Sequence, residues 1–550
     1  MSRLVKKSPS LCTDLPLGNT DICNRLHLLR QLLRSCIGPT GRLKQVHNNI
    51  GGHVITTSTS SVLLPAISSS QPFINLIKTS ILNHVSRFSD CGLFASILCL
   101  SLIEQAKQSG LRGNVATSVN KHLLGLCTSY LQRQDCGCKV KLDFCSSQSL
   151  ITLARSIISS KPACVLTERE ALHISKLAVQ AFLLTVPCNN PGIVSLGKIV
   201  TVSVEGHSVL NSAVFPGLLV DMPDVFCLNK VENLHSNPMC MVVFSASLAG
   251  DLSDLGGTIE VHPGVDTDSQ ILDQLLKLGE QVVKDEVKLF ICQKVIHPVL
   301  QQYLRSHGIV VIERLGITLM EPLTQLTGRG LYVLNPGISV LSSFGSKTML
   351  HLQPPGDSAI CTMILCHRNE TMLSELKVVC QKTEHVLRLT LREPAALLGG
   401  GCTETHLASM DKVTETVSVL GCSQTEYLRG VEGFCQSLES VAAALQHDGG
   451  NSLMDLTHAH HWSHPADVME ERMEDSSGFC GCGLVESSTN QKWTYLNTKY
   501  PQFSPAPLFR VPTVQPRVLD SFTAKLNALQ VAVETANLAL DVRYLIQDMN

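Results

Sequence analysis

Strongly apolar helical periodicity at both ends of the chain, with strand-like alternation confined to the middle, most restricts how these 550 residues can fold. Near the start Ile22, Leu26, Leu29 and Leu33 recur at helical spacing behind Asp21, which is placed to cap the helix, and Gly38-Pro39 stops it. Apolar helices are also expected over residues 93–105 and 119–132, and a last one from about Ser521, where Leu526, Leu529, Val533, Ala536 and Leu540 share one face. Between about residues 206 and 344 the pattern changes: runs at 213–220, 239–244, 288–295 and 309–313 read as strands alternating with helices. From Lys288 onward the order is strand, a helix with Pro298 at its first position and Gly308 just past its end, strand, then a helix over 319–326 closed by Gly328. The expected fold class is therefore α/β multidomain, with an α/β module inserted into a helical protein. Residues 487–514, rich in Ser and Pro, read as a loop.

A chain this long exceeds what one hydrophobic core organises, so three or four domains are expected. With 44% hydrophobic and 16% charged residues it carries too much apolar material for a disordered scaffold. Lys plus Arg total 44 against 46 Asp plus Glu, so no basic field exists to neutralise a phosphate backbone, and nucleic acid is excluded as principal partner. The longest apolar run, 93–103, is too short to span a bilayer, which excludes membrane insertion. Met1 to Lys7 is basic but leads into Ser8, Pro9 and Ser10, so no secretory signal is expected, and the 22 cysteines point to the reducing cytosol.

Three patterns carry candidate chemistry. Gly38, Pro39 and Gly41 form a turn whose missing side chains admit a phosphate to backbone N–H groups, although Gly-Pro is also a common helix terminator. Gly192 to Ile199, with Gly197 and Lys198, nearly spells a P-loop. It ends in Ile where a hydroxyl is needed, and strand-like alternation rather than a helix follows. Cys136-Gly137-Cys138, Cys480-Gly481-Cys482 and the histidines 458, 460, 461 and 464 around Trp462 are possible zinc ligands. Their spacing is not Cys-x-x-Cys, and a chain with 22 cysteines has close pairs by chance.

Several segments occur in the order found in group II chaperonins: Gly38-Pro39-Thr40-Gly41-Arg42-Leu43-Lys44 after the first helix, Asp90-Cys91-Gly92, Gly399-Gly400-Gly401-Cys402-Thr403-Glu404, and Ala532-Val533-Glu534-Thr535-Ala536. Gly206-His207-Ser208 with residues 216–221, Cys292-Gln293-Lys294-Val295-Ile296, and Leu319 to Leu323 through Thr327-Gly328 look like that family's substrate-binding domain. The chain thus resembles group II chaperonins over nearly its whole length, and among them the Bardet-Biedl group of chaperonin-like proteins. The resemblance implies a helical equatorial domain (1–140 and 397–550), a small intermediate domain (141–205 and 345–396) and an inserted α/β apical domain (206–344). It implies ATP with magnesium as cofactor, Gly38, Pro39, Gly41, Asp90, Gly399, Gly400 and Gly401 as nucleotide-binding residues, and Asp90 as the residue holding the metal.

The departures point away from turnover. Thr56-Thr57-Ser58-Thr59 replaces the family's Thr-Asn-Asp-Gly, which puts Ser58 on a carboxylate position. Cys91, Gly92 and Leu93 replace Gly-Thr-Thr, removing hydroxyls that would bind phosphate. His385 falls on the acid that orients the attacking water, and the neighbouring Glu384 faces elsewhere, about 100° around a helix. Phosphoryl transfer needs metal, oriented water and charge neutralisation together, so no working ATPase is expected. The segment 248–284, which includes a lid protrusion in the family, looks shortened and poorly charged. The resemblance implies an assembly factor for the ciliary Bardet-Biedl complex. Its partners would be other chaperonin-like Bardet-Biedl subunits, cytosolic chaperonin subunits and client ciliary-complex proteins. Its places would be cytoplasm, centrosome or basal body, and nucleus. The alternative is an ATP-driven folding chaperonin.

Overall fold

The computed structural model describes residues 11–47, 54–187, 196–221, 240–250, 267–327, 332–334, 337–344, 347–353, 359–410, 420–464, 478–487, 491–499, 503, 505–506 and 515–547. The chain divides into two compact units, one of residues 1–179 with 374–550 and one of residues 180–373. The five-segment division expected from the sequence is finer than this partition. Among the described residues no helix is long and apolar enough to cross a membrane.

The first unit is built around helix Gly92–Gln108, whose residues are buried without a break from Gly92 to Ile103. A helix apolar on every side has to be surrounded. Helices Thr20–Arg34, Pro72–Phe88, Gln424–Ala443 and Phe522–Asp541 pack against it, and Gly113–Gln132 packs on the last two. The expected helices form, longer at their ends than the apolar runs. The cap of the first differs: Asn19, not Asp21, accepts the free N–H, that of Asp21 itself, at 2.8 Å. Asp21 instead sits in the first turn and pairs with Arg25 four residues on. Ser521 caps the last helix through the Ala524 N–H.

Two small sheets complete this unit. In one, the fully buried strand Ala395–Leu398 lies antiparallel between Lys139–Lys141 and Leu519–Ser521 and delivers the chain to Gly399. In the other, Asn451–Asp455 lies antiparallel between His461–His464 and Trp493–Tyr495. Trp493–Tyr495 corrects the loop expected over 487–514; its own sequence is short, and cross-strand pairing with Leu453 to Asp455 makes it a strand.

In the second unit, parallel strands Val310–Ile312, Val287–Cys292 and Cys240–Phe244 are joined by Tyr332–Leu334 running antiparallel. Helices Thr267–Lys284 and Pro298–Ser306 make the crossovers, the second with Pro298 at its start. The run 213–220 breaks at Gly217 into Ala213–Pro216 and Leu218–Asp221, which pair in different sheets. Their partners, Ile360–His367 and Lys347–Gln353, lie beyond residue 344, and Ile360–His367 also pairs in parallel with Lys198–Glu205. Helix Ile317–Thr327 covers the expected 319–326, while Gly328 and, within the expected lid segment 248–284, residues 251–266 lie outside the described residues.

Candidate functional site

A cleft of about 1080 Å³ opens in the first unit. Five of the nucleotide-binding candidates line it: Gly38, Pro39, Asp90, Gly400 and Gly401. Gly38 follows the first helix in a turn closed by the Gly41 N–H on the Gly38 carbonyl, so Gly41 shapes the turn from behind. Gly399 is likewise one step back, its N–H bonded to the Val518 carbonyl. Gly400, with φ +64°, approaches Gly481 so closely that an added Cβ would lie 2.1 Å from the Gly481 carbonyl oxygen.

Asp90 stands in a tight link whose neighbours Ser89 and Cys91 both have φ of 60°. The N-cap of the following helix is Cys91, and no side-chain hydrogen bond closes that end. Helix Cys402–Ser409 likewise begins without a side-chain cap after Gly401. Two helix N-termini with N–H groups left over therefore meet at one cleft, which suits an anion.

Cationic side chains complete the setting. Lys161, Lys382, Arg155, Arg517 and Lys525 line the walls. Burial, reinforced by the charge of Lys161, lowers the Lys382 ammonium to about 7. Lys525 behaves oppositely. Burial opposes its charge, but Asp520 at 2.8 Å and Glu404 hold the ammonium well above the usual lysine range. Two uncapped helix ends, close lysines and Asp90 fit a polyphosphate with a divalent ion: Asp90 would hold the magnesium, and the helix ends with Lys161 and Lys382 the phosphates.

Of the substituted positions, Cys91, Gly92 and Leu93 line this cleft, His385 reaches the lining residue Ser89, and Ser58 is not among the lining residues. Ser58 is fully buried and its hydroxyl has no protein partner. It is flanked by Thr57 and Thr59, whose hydroxyls both donate to the buried Glu375 carboxylate, Thr59 at 2.6 Å. Cys91 stays a neutral thiol, because burial and then the Asp90 charge push it well up. His385 Nδ1 lies 2.6 Å from the hydroxyl of Ser89, a cleft residue. Burial, and then Arg388, lower its pKa, so the imidazole is neutral at pH 7. Glu384 is engaged elsewhere, 2.7 Å from Arg388.

The P-loop-like segment has another role. Lys198 begins strand Lys198–Glu205 in the second unit, with Nζ 2.6 Å from Glu321, and no helix starts there to offer N–H groups to a phosphate. Gly197 donates to the Thr185 carbonyl, and Gly192 lies outside the described residues. Nothing in the sequence marks Lys161, Lys382 or the neighbouring Asp520 and Lys525; they come from three separate segments, and only folding gathers them.

The sequence profile of the TCP-1/cpn60 chaperonin family matches residues 29–550. The chain belongs to that family. It is 46% identical to molecular chaperone MKKS of Homo sapiens and 43% identical to that of Mus musculus, each covering 100% of both chains. Thermosome subunit alpha of Saccharolobus solfataricus is 24% identical over 78% of this chain and 80% of its own. The α/β multidomain architecture is thus that of a chaperonin subunit.

Proposed function

We propose that this chaperonin-family chain is a chaperonin-like chaperone that binds client polypeptides and helps assemble the ciliary Bardet-Biedl complex, with little or no ATP hydrolysis. Its partners are other chaperonin-like Bardet-Biedl subunits, cytosolic chaperonin subunits and client ciliary proteins. It works in the cytoplasm and at the centrosome or basal body, with nuclear residence as a further place. The full-length similarity to proteins called molecular chaperone MKKS supports the chaperone part.

One observation supports the loss of turnover: beside a cleft lined by Asp90, Lys161 and Lys382, positions 58 and 385 carry a hydroxyl and a neutral imidazole. A bound magnesium nucleotide supplies the phosphoanhydride. What this chain's residues do around it is hold charge and orient groups. The helix N-termini with Lys161 and Lys382 would hold its phosphates, and Asp90 would hold the metal. The remaining lining carboxylates Glu404 and Asp520 are engaged with Lys525, and Glu168 pairs with Arg155. His385 donates to or accepts from Ser89, and without a carboxylate there the attacking water has no strong acceptor to orient it.

The test is single-turnover and steady-state phosphate release from the purified full chain, with Asp90→Ala beside it. Slow release that Asp90→Ala leaves unchanged supports the proposal. Turnover at chaperonin rates that Asp90→Ala abolishes establishes the rival reading, an ATP-driven folding chaperonin. Native mass of the complex isolated from cells tests assembly, and a symmetric ring of this chain alone would reject the mixed partnership.

A further inference from the structure

The glycine-rich segment that lines the cleft ends in Cys402, the first residue of helix Cys402–Ser409. Folding brings its thiol to three other side chains from two distant segments, His460, Cys480 and Cys482. The four ligand atoms all lie within 4.8 Å of one another, and all four residues are buried. Cys480 Sγ is 3.3 Å from Cys482 Sγ and 3.3 Å from His460 Nδ1, and Cys482 Sγ is 3.6 Å from the same nitrogen. We propose that Cys402, His460, Cys480 and Cys482 bind one structural zinc ion.

The geometry fits a tetrahedral ion. Zn–S bonds of about 2.3 Å and Zn–N bonds of about 2.0 Å put ligand atoms roughly 3.6 to 3.8 Å apart, so the four need move by only about half an ångström each. Three thiolates and an imidazole select zinc over hard cations such as magnesium. Four protein ligands with no solvent-facing side describe a closed, structural site rather than a catalytic one.

The surroundings are arranged for a charged sulfur. The chain turns tightly at Cys480, with the Gly483 N–H on its carbonyl and its own N–H on that of Val485. The Val485 N–H in turn donates to Cys480 Sγ at 3.2 Å, which stabilises a thiolate. His460 is aimed by Asp455, whose carboxylate accepts from the N–H groups of Thr457, His458 and His460 and from the Trp462 indole. The ion would join the start of the glycine-loop helix to the turn before strand His461–His464 and to the 480–482 turn. Gly400, Gly401, His461 and Gly481 line the cleft, so the metal holds one wall of the candidate nucleotide site. The Cys136–Cys138 pair, with its sulfurs also 3.3 Å apart, gathers no third and fourth ligand of this kind among the described residues.

The test is metal analysis of the untagged full-length chain purified without chelator, followed by cobalt substitution during expression. About one zinc per chain is expected, and the cobalt form should show tetrahedral visible bands with near-ultraviolet charge transfer of three thiolates. Cys402→Ser and Cys482→Ser should each remove one third of that charge transfer and weaken zinc retention at least about tenfold, whereas Cys136→Ser leaves both unchanged. Should a serine variant not fold, the wild-type cobalt spectrum decides by itself. A wild-type chain with under about one-tenth zinc and no tetrahedral cobalt band overturns the proposal. So does equal metal loss in Cys136→Ser, or a disulfide at Cys480 or Cys482 in protein purified without oxygen.

Discussion

At the scale of single residues, the cleft wall makes two demands that can be measured. Lys382 titrates near 7 in the folded protein against the ordinary lysine value of 10.5. Its folded form binds the proton less tightly than the unfolded chain, so it makes stability rise with pH between about 7 and 10.5, and its penalty is complete below about 7. A polyphosphate beside it restores the charge. Binding should therefore take up a proton above pH 7 and strengthen by up to about tenfold per pH unit as pH falls towards 7. Calorimetric titrations of nucleotide in buffers of different ionisation enthalpy would record that uptake, and Lys382→Met should abolish it. Gly400 makes the second demand. An alanine there combines left-handed strain with a Cβ 2.1 Å from a backbone oxygen and should cost more than about 2 kcal/mol. Gly110→Ala, at φ +66° with open space around it, should cost only about 1 kcal/mol. Urea midpoints of the two variants separate strain from collision.

At the scale of elements, the end of strand Val54–Thr57 is fastened to helix Glu370–Thr390 by a buried carboxylate. Thr57 and Thr59 both donate to Glu375, which is itself fully enclosed. Glu375→Ala would leave two buried hydroxyls without an acceptor and should destabilise the chain by about 2 to 4 kcal/mol, read as a lower denaturant midpoint at unchanged slope. Thr57→Val with Glu375→Leu should recover part of that loss, because removing both partners costs less than stranding one. The central helix tolerates still less. Leu98 is completely buried on Gly92–Gln108, and Leu98→Ala should cost about 2 to 5 kcal/mol by opening a cavity among helices that enclose it on every side.

At the scale of the whole chain, residues 180–373 contain their own apolar clusters, one around Met241, Leu289 and Ile291 and another around Phe290, Leu300 and Leu304. Expressed alone, 180–373 should melt in one cooperative transition. The shorter fragment 206–344 should not, because it lacks Lys347–Gln353 and Ile360–His367, the partners of Leu218–Asp221 and Ala213–Pro216. Differential scanning calorimetry of both fragments decides it. What the sequence determined by itself was whatever local physics controls: helices whose apolar residues recur every three to four positions, a strand–helix–strand middle, turns at Gly38 and Gly308, and a fold class carried by ordered motifs. It also showed that Lys198 precedes strand-like alternation, which the strand Lys198–Glu205 bears out. What tertiary structure decided were meetings between residues that carry no mutual signal along the chain. Asn19 rather than Asp21 caps the first helix because backbone direction, not side-chain type, selects the donor reached. Trp493–Tyr495 is a strand only because Asn451–Asp455 lies beside it. Lys161 and Lys382 come to one cleft, Lys525 meets Glu404 beside it, and Cys402 joins His460, Cys480 and Cys482, because packing around one apolar helix closes long loops that no periodicity in sequence records.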